Sequence, residues 1–281
     1  MPTSQNTVSF HDGRNVPQIG MGVWQVENDI ASSVVKTAID IGYRSIDTAA
    51  IYGNEAGVGR GIAESGIDRD ELFIATKLWN DRHGHDSAKA AFNESLEKLG
   101  LDYVDLYLIH WPVPKVNLFV DAWESMIQLR DEGRAKSIGV CNFNINHLQK
   151  LLDETGVLPV VNQIELHPYF QQAELREFHA EQGIITEAWS PLGRGRLWEE
   201  PVLVAISHKY QRSVAQVMVR WHTQLGNMVI PKSVTPSRLD ENLHVFDFTL
   251  DAEDMAAIAA LDQPDGRGGP DPELFRVLKT Q

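Results

Sequence analysis

Short runs rich in β-branched residues alternate with stretches of helical spacing along almost the whole chain, and no other feature restricts the fold as much. The runs are IGMGVW at Ile19, SIDTA at Ile46, LFIATK at Ile74, DLYLIH at Leu106, KSIGVCN at Ile138, VVNQIE at Val161, IITEAW at Ile185 and MVIPKS at Val229. Each reads as a strand buried on both faces. Helical spacing occupies Ala31 to Ile41, Asn54 to Glu64, Asp86 to Leu99, Phe119 to Arg130, Asn146 to Leu152, Ala173 to Gln182 and Val214 to Leu225. Parallel neighbours need a crossover of about a dozen residues, usually a helix, so the alternation calls for a parallel sheet. Eight such units suit a closed (β/α)8 TIM barrel, an α/β fold that a chain of 281 residues can complete as a single domain, 1–281.

The ends of the chain break the alternation. TVSF and NVPQI flank the turn His11-Asp12-Gly13-Arg14, which reads as a β-hairpin plugging one end of the barrel. Leu261 to Pro272 is too dense in Gly and Pro for an element interior, so it reads as a short C-terminal tail.

Composition removes several classes of function. The net charge of −14 opposes binding to a nucleic-acid duplex or an anionic membrane. No apolar run is long enough to span a bilayer, and the N-terminus lacks a basic start followed by an apolar stretch. Cys141 is the only cysteine, so no intramolecular disulfide forms and a reducing cytoplasm is the expected home.

Common site signatures are missing. Gly20-Met21-Gly22, Gly57-Val58-Gly59 and Gly193-Arg194-Gly195 each lack the third glycine of a Rossmann fingerprint. There is no Walker loop, His-Glu-x-x-His helix or Gly-x-Ser-x-Gly elbow. His83 and His85 have no evident third ligand, so no metal is expected.

Position supplies the signal instead. Reading each strand to its end places Asp47, Lys77, His110, Asn142, Gln163 with Glu165, Ser190, and Lys232 with Ser233 at one rim. In a parallel barrel the C-terminal rim is the active face. Tyr52 follows Asp47 in the loop to the next helix. A phenol has a reference pKa of about 10, and a neighbouring lysine can lower it. Lys77 held charged by Asp47, with His110 orienting a substrate oxygen toward Tyr52, makes a proton donor for a carbonyl. Two plainer readings remain beside this one: Asp47 and Lys77 as an ion pair stapling two strands, and Tyr52 and His110 as packed core residues.

The run GYRSIDTAAIYGNEAGVG, from Gly42 to Gly59, closely resembles the first signature of the aldo-keto reductases, and IPKSVTPSRLDENLHV, from Ile230 to Val245, resembles their cofactor-binding signature. LFIATKLWN, DLYLIHWP, SIGVCNFN and VVNQIELHP fall between them in the family's order, so the resemblance covers nearly the whole chain. AIYGNE, ATKLWNDRH and VNQIELHPY look most like the bacterial 2,5-diketo-D-gluconate reductase branch.

The resemblance implies NADPH as cofactor, a small-molecule carbonyl substrate, a monomer, and a catalytic set of Tyr52, Lys77, Asp47 and His110. It implies that Asn142 and Gln163 hold the nicotinamide carboxamide and that Trp189 stacks on the ring. Ser190, Leu192 and Gly193 would line the pyrophosphate. Lys232, Ser233 and Arg238 would take the 2′-phosphate, and Glu241 and Asn242 the adenine. Cys141 stands where many members carry serine, and a thiol is a weaker donor than a hydroxyl. Candidate pocket walls are Trp24, Ile51, Trp79 and Trp111, with the tail after Leu261 closing one side.

These expectations describe NADPH-dependent reduction of aldehydes, ketones or keto-sugar acids, with the proton from Tyr52. Two other classes stay open: an NADPH-holding redox-sensing accessory module with slow turnover, and a Schiff-base aldolase using Lys77, which borohydride trapping would reveal.

Overall fold

A computed structural model describes residues 6–275; residues 1–5 and 276–281 lie outside the described residues. Two short strands come first, β1 (Thr7–Ser9) and β2 (Asn15–Pro17), paired antiparallel with Val8 opposite Val16. Gly13, at φ +88, supplies the left-handed turn between them. The order then runs β3 (Met21–Gly22), α1 (Asn28–Ile41), β4 (Ser45–Asp47), α2 (Glu55–Ser65), β5 (Phe73–Leu78), α3 (His85–Leu99), β6 (Val104–Ile109) and α4 (Phe119–Asp131). It continues through β7 (Ala135–Cys141), α5 (Ile145–Thr155), β8 (Val161–Glu165), α6 (Ala173–Gln182), β9 (Ile185–Trp189), α7 (Pro201–Tyr210), α8 (Val214–Gln224), β10 (Met228–Val229), α9 (Pro236–Leu243) and α10 (Ala252–Ala259).

Strands β3 to β10 pair in sequence order, all parallel. Ile19 bridges to Val229 in parallel, the Gly20 N–H donates to the Val229 carbonyl at 2.9 Å, and the Val229 N–H donates to Gln18 at 3.0 Å. These bonds join the last strand to the first, so the sheet closes into a (β/α)8 barrel with no exposed edge.

Helices cover the outside by the expected patterning. In α1 the buried residues Ala31, Val34, Val35, Ala38 and Ile39 form one face at spacings of three and four. The α2 glycines have a packing role. A Cβ on Gly57 would lie 2.3 Å from the Asn28 carbonyl oxygen, and one on Gly61 would lie 2.6 Å from that of Ser32. Only glycine lets α2 lie this close to α1.

The apolar core has two layers. One fills the space between sheet and helices. The other fills the barrel, where Phe10 and Val16 of the hairpin pack with Phe73, Leu106, Val161 and Met228. Phe73 and Val161 begin their strands, so the hairpin plugs the N-terminal end, with Phe10 edge-on to Phe73 at 6.2 Å.

Helices α7, α9 and α10 were not anticipated from apolar periodicity. Their starts are nevertheless marked. The Glu200 side chain accepts from the Val202 N–H with Pro201 in the first turn, Pro236 opens α9, and Asp251 with Asp254 forms a capping box on α10.

Candidate active site

Side chains two apart along a strand share a face, so the last inward position of each strand reaches the same end of the barrel. Asp47 ends β4, Lys77 is next to last in β5, His110 follows β6, Asn142 follows β7, Gln163 lies within β8 and Trp189 ends β9. The structure brings these residues together at the C-terminal rim. Tyr52 closes a single 3-10 turn, Ala50–Tyr52, that ends on Gly53 in the left-handed region at φ +68.

Lys77 is completely buried. Its Nζ donates to Asp47 Oδ1 at 2.5 Å and to the Thr48 carbonyl at 2.8 Å. Burial works against the charge, but Asp47, Tyr52 and Cys141 together with the hydrogen bond to Asp47 hold Lys77 above the usual lysine value. The ammonium lies 5.2 Å from the centre of the Tyr52 ring. The expectation of a net depression of the Tyr52 phenol requires correction. Burial pushes the Tyr52 phenol up to about 12, outweighing the lowering pull of Lys77. The phenol therefore stays protonated across the neutral range.

His110 meets the Tyr52 ring edge-on at 5.7 Å and the Trp79 ring at 5.1 Å. Burial, then the Lys77 charge, drives its imidazole well below the usual histidine value, so it is neutral. Its Nδ1 is buried with no hydrogen-bond partner among the described residues.

Beneath this group lies a residue that the sequence reading passed over. Gln163 Nε2 donates to Asp47 Oδ2 at 3.0 Å and to Glu187 Oε2 at 2.9 Å. Burial and the Asp47 charge push Glu187 up to about 7. An acidic residue two before Trp189 in the run ITEAW was the available signal, since that phase points into the barrel. Asn142, at φ +62, is engaged on both sides: Trp189 Nε1 donates to its Oδ1 at 2.8 Å, and its Nδ2 donates to the His110 carbonyl at 3.0 Å. Burial also pushes the Cys141 thiol well up, which makes it a poor nucleophile.

Two hollows open at this rim. A cavity of about 560 Å³ is lined by Asp47, Tyr52, His110, Asn142, Gln163, Trp189 and Ser190 and walled by Trp24, Ile51, Trp79 and Trp111. A groove of about 470 Å³ is lined by Leu192, Lys232, Ser233, Arg238, Glu241 and Asn242. Lys232 borders both. Gly193 lines neither; it is buried at φ +60 against Leu197.

Glu165, placed by its strand at this rim, serves the tail. Its carboxylate accepts the N–H groups of Gly268 and Gly269, each at 2.8 Å, with His167 Nε2 at 3.1 Å from Oε1. The tail so fastened sends Pro270 and Phe275 to the cavity, and Phe275 stacks on Trp111 at 4.4 Å. The Arg194 guanidinium, also at the cavity, lies 5.0 Å from the Trp24 ring and 5.5 Å from that of Trp189.

Comparison with known proteins gives one consistent result. Residues 18–263 match the model of the aldo/keto reductase family. An aldo-keto reductase of Mycobacterium sp. (strain KMS) is 53% identical over 269 residues, covering 95% of this chain and 97% of its own. Methylglyoxal reductase DkgA of Escherichia coli is 52% identical over 270 residues, with the same two coverages, 95% and 97%. The crystal structure of a Gox0644 mutant in complex with NADPH superposes with a TM-score of 0.94 at 51% identity, covering 98% of this chain and 100% of that one. Strand order, rim chemistry and these matches lead to one conclusion: the chain belongs to the aldo/keto reductase family.

Proposed function

We propose that this protein uses NADPH to reduce small polar carbonyl compounds, dicarbonyls and keto-sugar acids among them, to alcohols, with Tyr52 as the proton donor. The observation that carries this reading is the buried Asp47–Lys77 pair beneath Tyr52 at the edge of an aromatic cavity. The naming of one relative as a methylglyoxal reductase and the NADPH complex of another support it.

The groove suits a phosphorylated dinucleotide. In a chain of net charge −14, Lys232 and Arg238 border it, and neither side chain has an ion pair or hydrogen bond to another described residue. Lys232, Ser233 and Arg238 would hold the 2′-phosphate, and Glu241 and Asn242 the adenine. Leu192, Gly193 and Ser190 would follow the pyrophosphate, Trp189 would face the nicotinamide ring, and Asn142 and Gln163 would take its carboxamide.

When bound, NADPH supplies the hydride for the carbonyl carbon. The neutral His110 imidazole orients the carbonyl oxygen, and Tyr52 transfers its hydroxyl proton to that oxygen as negative charge develops there. Lys77 stabilises the phenolate left behind, and Asp47 keeps Lys77 charged and in place. The same hold argues against a Schiff base, which needs a neutral amine. We also read the chain as one working unit, monomeric and cytoplasmic.

The test is kcat/KM for methylglyoxal and 2,5-diketo-D-gluconate against a 3-ketosteroid, followed by NADPH consumption at saturating cofactor. The two small substrates are expected to be preferred. Preference for the steroid overturns the substrate class, and no NADPH consumption with any carbonyl overturns the reading as a whole.

A further inference from the structure

The Gln163 amide lies between two buried carboxyl groups on different strands, Asp47 on β4 and Glu187 on β9. Both of its N–H bonds point at these acceptors, one at 3.0 Å and one at 2.9 Å. The reversed amide would set its carbonyl oxygen against carboxylate oxygens, which repel it. Glu187 keeps an acceptor oxygen in either protonation state, and Asp47, paired with the Lys77 ammonium, opposes the reversed amide whichever state Glu187 is in. With the nitrogen fixed toward the barrel interior, Oε1 is the part of the amide left for the cavity that Gln163 lines.

We propose that Glu187 is a positioning residue: with Asp47 it locks the Gln163 amide so that the carbonyl oxygen is presented to the cavity as an acceptor for the carboxamide N–H of the nicotinamide. This rests on the reading above, in which Gln163 takes the carboxamide. Glu187 itself touches neither cofactor nor substrate and acts through Gln163. Asp47 alone satisfies one N–H and leaves the other to compete for the cavity. An amide free to turn presents a donor where the carboxamide also presents a donor, and one hydrogen bond is lost.

The experiment measures binding, without turnover. NADPH and adenosine 2′,5′-bisphosphate, which has the adenine end and no nicotinamide, are titrated into the full chain and followed by tryptophan fluorescence. Glu187→Met, close in volume but without an acceptor, is expected to weaken NADPH about tenfold and to leave the bisphosphate within about twofold of wild type. Glu187→Gln is expected to restore NADPH binding, because its own amide oxygen accepts from Gln163. Should Glu187→Met fail to fold, Glu187→Ala gives the same comparison. Equal weakening of both ligands assigns Glu187 a structural role and overturns the proposal, as does unchanged NADPH affinity in the variant without an acceptor. Failure of the wild-type chain to bind NADPH while binding the bisphosphate overturns the cofactor reading, and this proposal with it.

Discussion

The two ends of the barrel are built from opposite chemistry. At the N-terminal end, Phe10 and Val16 of the hairpin close the interior against Phe73, Leu106 and Val161. At the C-terminal end, Asp47, Lys77, His110 and Glu187 are buried within a few residues of the cavity. Burying apolar surface stabilises a fold by about 25 cal/mol per Å². Burying ionisable groups costs several kcal/mol per ion unless pairing and hydrogen bonds offset it. The plug therefore contributes stability, and it offsets the cost of a mouth whose buried charges serve the proposed chemistry. Mutations at the two ends should separate stability from turnover.

The largest effect should come at the mouth. Tyr52→Phe keeps the ring and removes only the proposed proton donor, so kcat should fall roughly 10² to 10⁴-fold while NADPH affinity and thermal stability stay nearly unchanged. Retention of more than about a tenth of wild-type kcat would contradict the role given to Tyr52. At the plug, Phe10→Ala should do the opposite. Denaturant unfolding should show a loss of about 3 to 5 kcal/mol, with kcat/KM unchanged under conditions where the variant is folded. A comparable drop in activity of the folded variant would mean that the two ends are not separable.

Glu187 sharpens the contrast, because its burial should be visible as a pH dependence of stability. Its folded pKa, about 7, lies above its ordinary value of 4.5, so the folded chain binds the proton more tightly than the unfolded one. That stability is complete below about 4.5 and lost as pH rises through about 7. Glu187→Gln should accordingly exceed wild type by up to about 3 kcal/mol near pH 8, the gap closing toward pH 4. A gap independent of pH would show that Glu187 does not titrate there. The smallest effect is expected in the groove. Arg238→Ala should weaken NADPH by about 1.5 to 3 kcal/mol and NADH hardly at all. Equal losses for both cofactors would place the 2′-phosphate elsewhere.

The four residues at the rim were legible because a parallel strand has a period of two and a barrel has one active end. Asp47, Lys77 and His110 each sit at the end of an apolar run, and Tyr52 follows within one turn. Trp24, Ile51, Trp79 and Trp111 lie in the loops beyond the strand ends, where no strand period points to them, and the structure lines the cavity with all four. The glycines of α2 were visible but not interpretable, since their close approach to Asn28 and Ser32 involves a different helix. Gly193 was named for the cofactor path from its position along the chain, but its left-handed backbone, on which a Cβ would meet Leu197, is a requirement that only the packing shows.

The amino-acid sequence by itself determined the barrel, the hairpin before it and the identity of the groups at its mouth. Each depends on local periodicity, which is carried by neighbours along the chain. Only the tertiary structure decided how those groups behave. The rise of Tyr52 to about 12 comes from depth of burial, which no spacing encodes. The Gln163 bridge from Asp47 to Glu187, the bond from Trp189 to Asn142, and the clasp of Glu165 on Gly268 and Gly269 join residues 24 to 116 positions apart. Such contacts exist only once closure of the barrel brings distant strand ends within hydrogen-bond reach, where electrostatics and desolvation act through space and not along the chain.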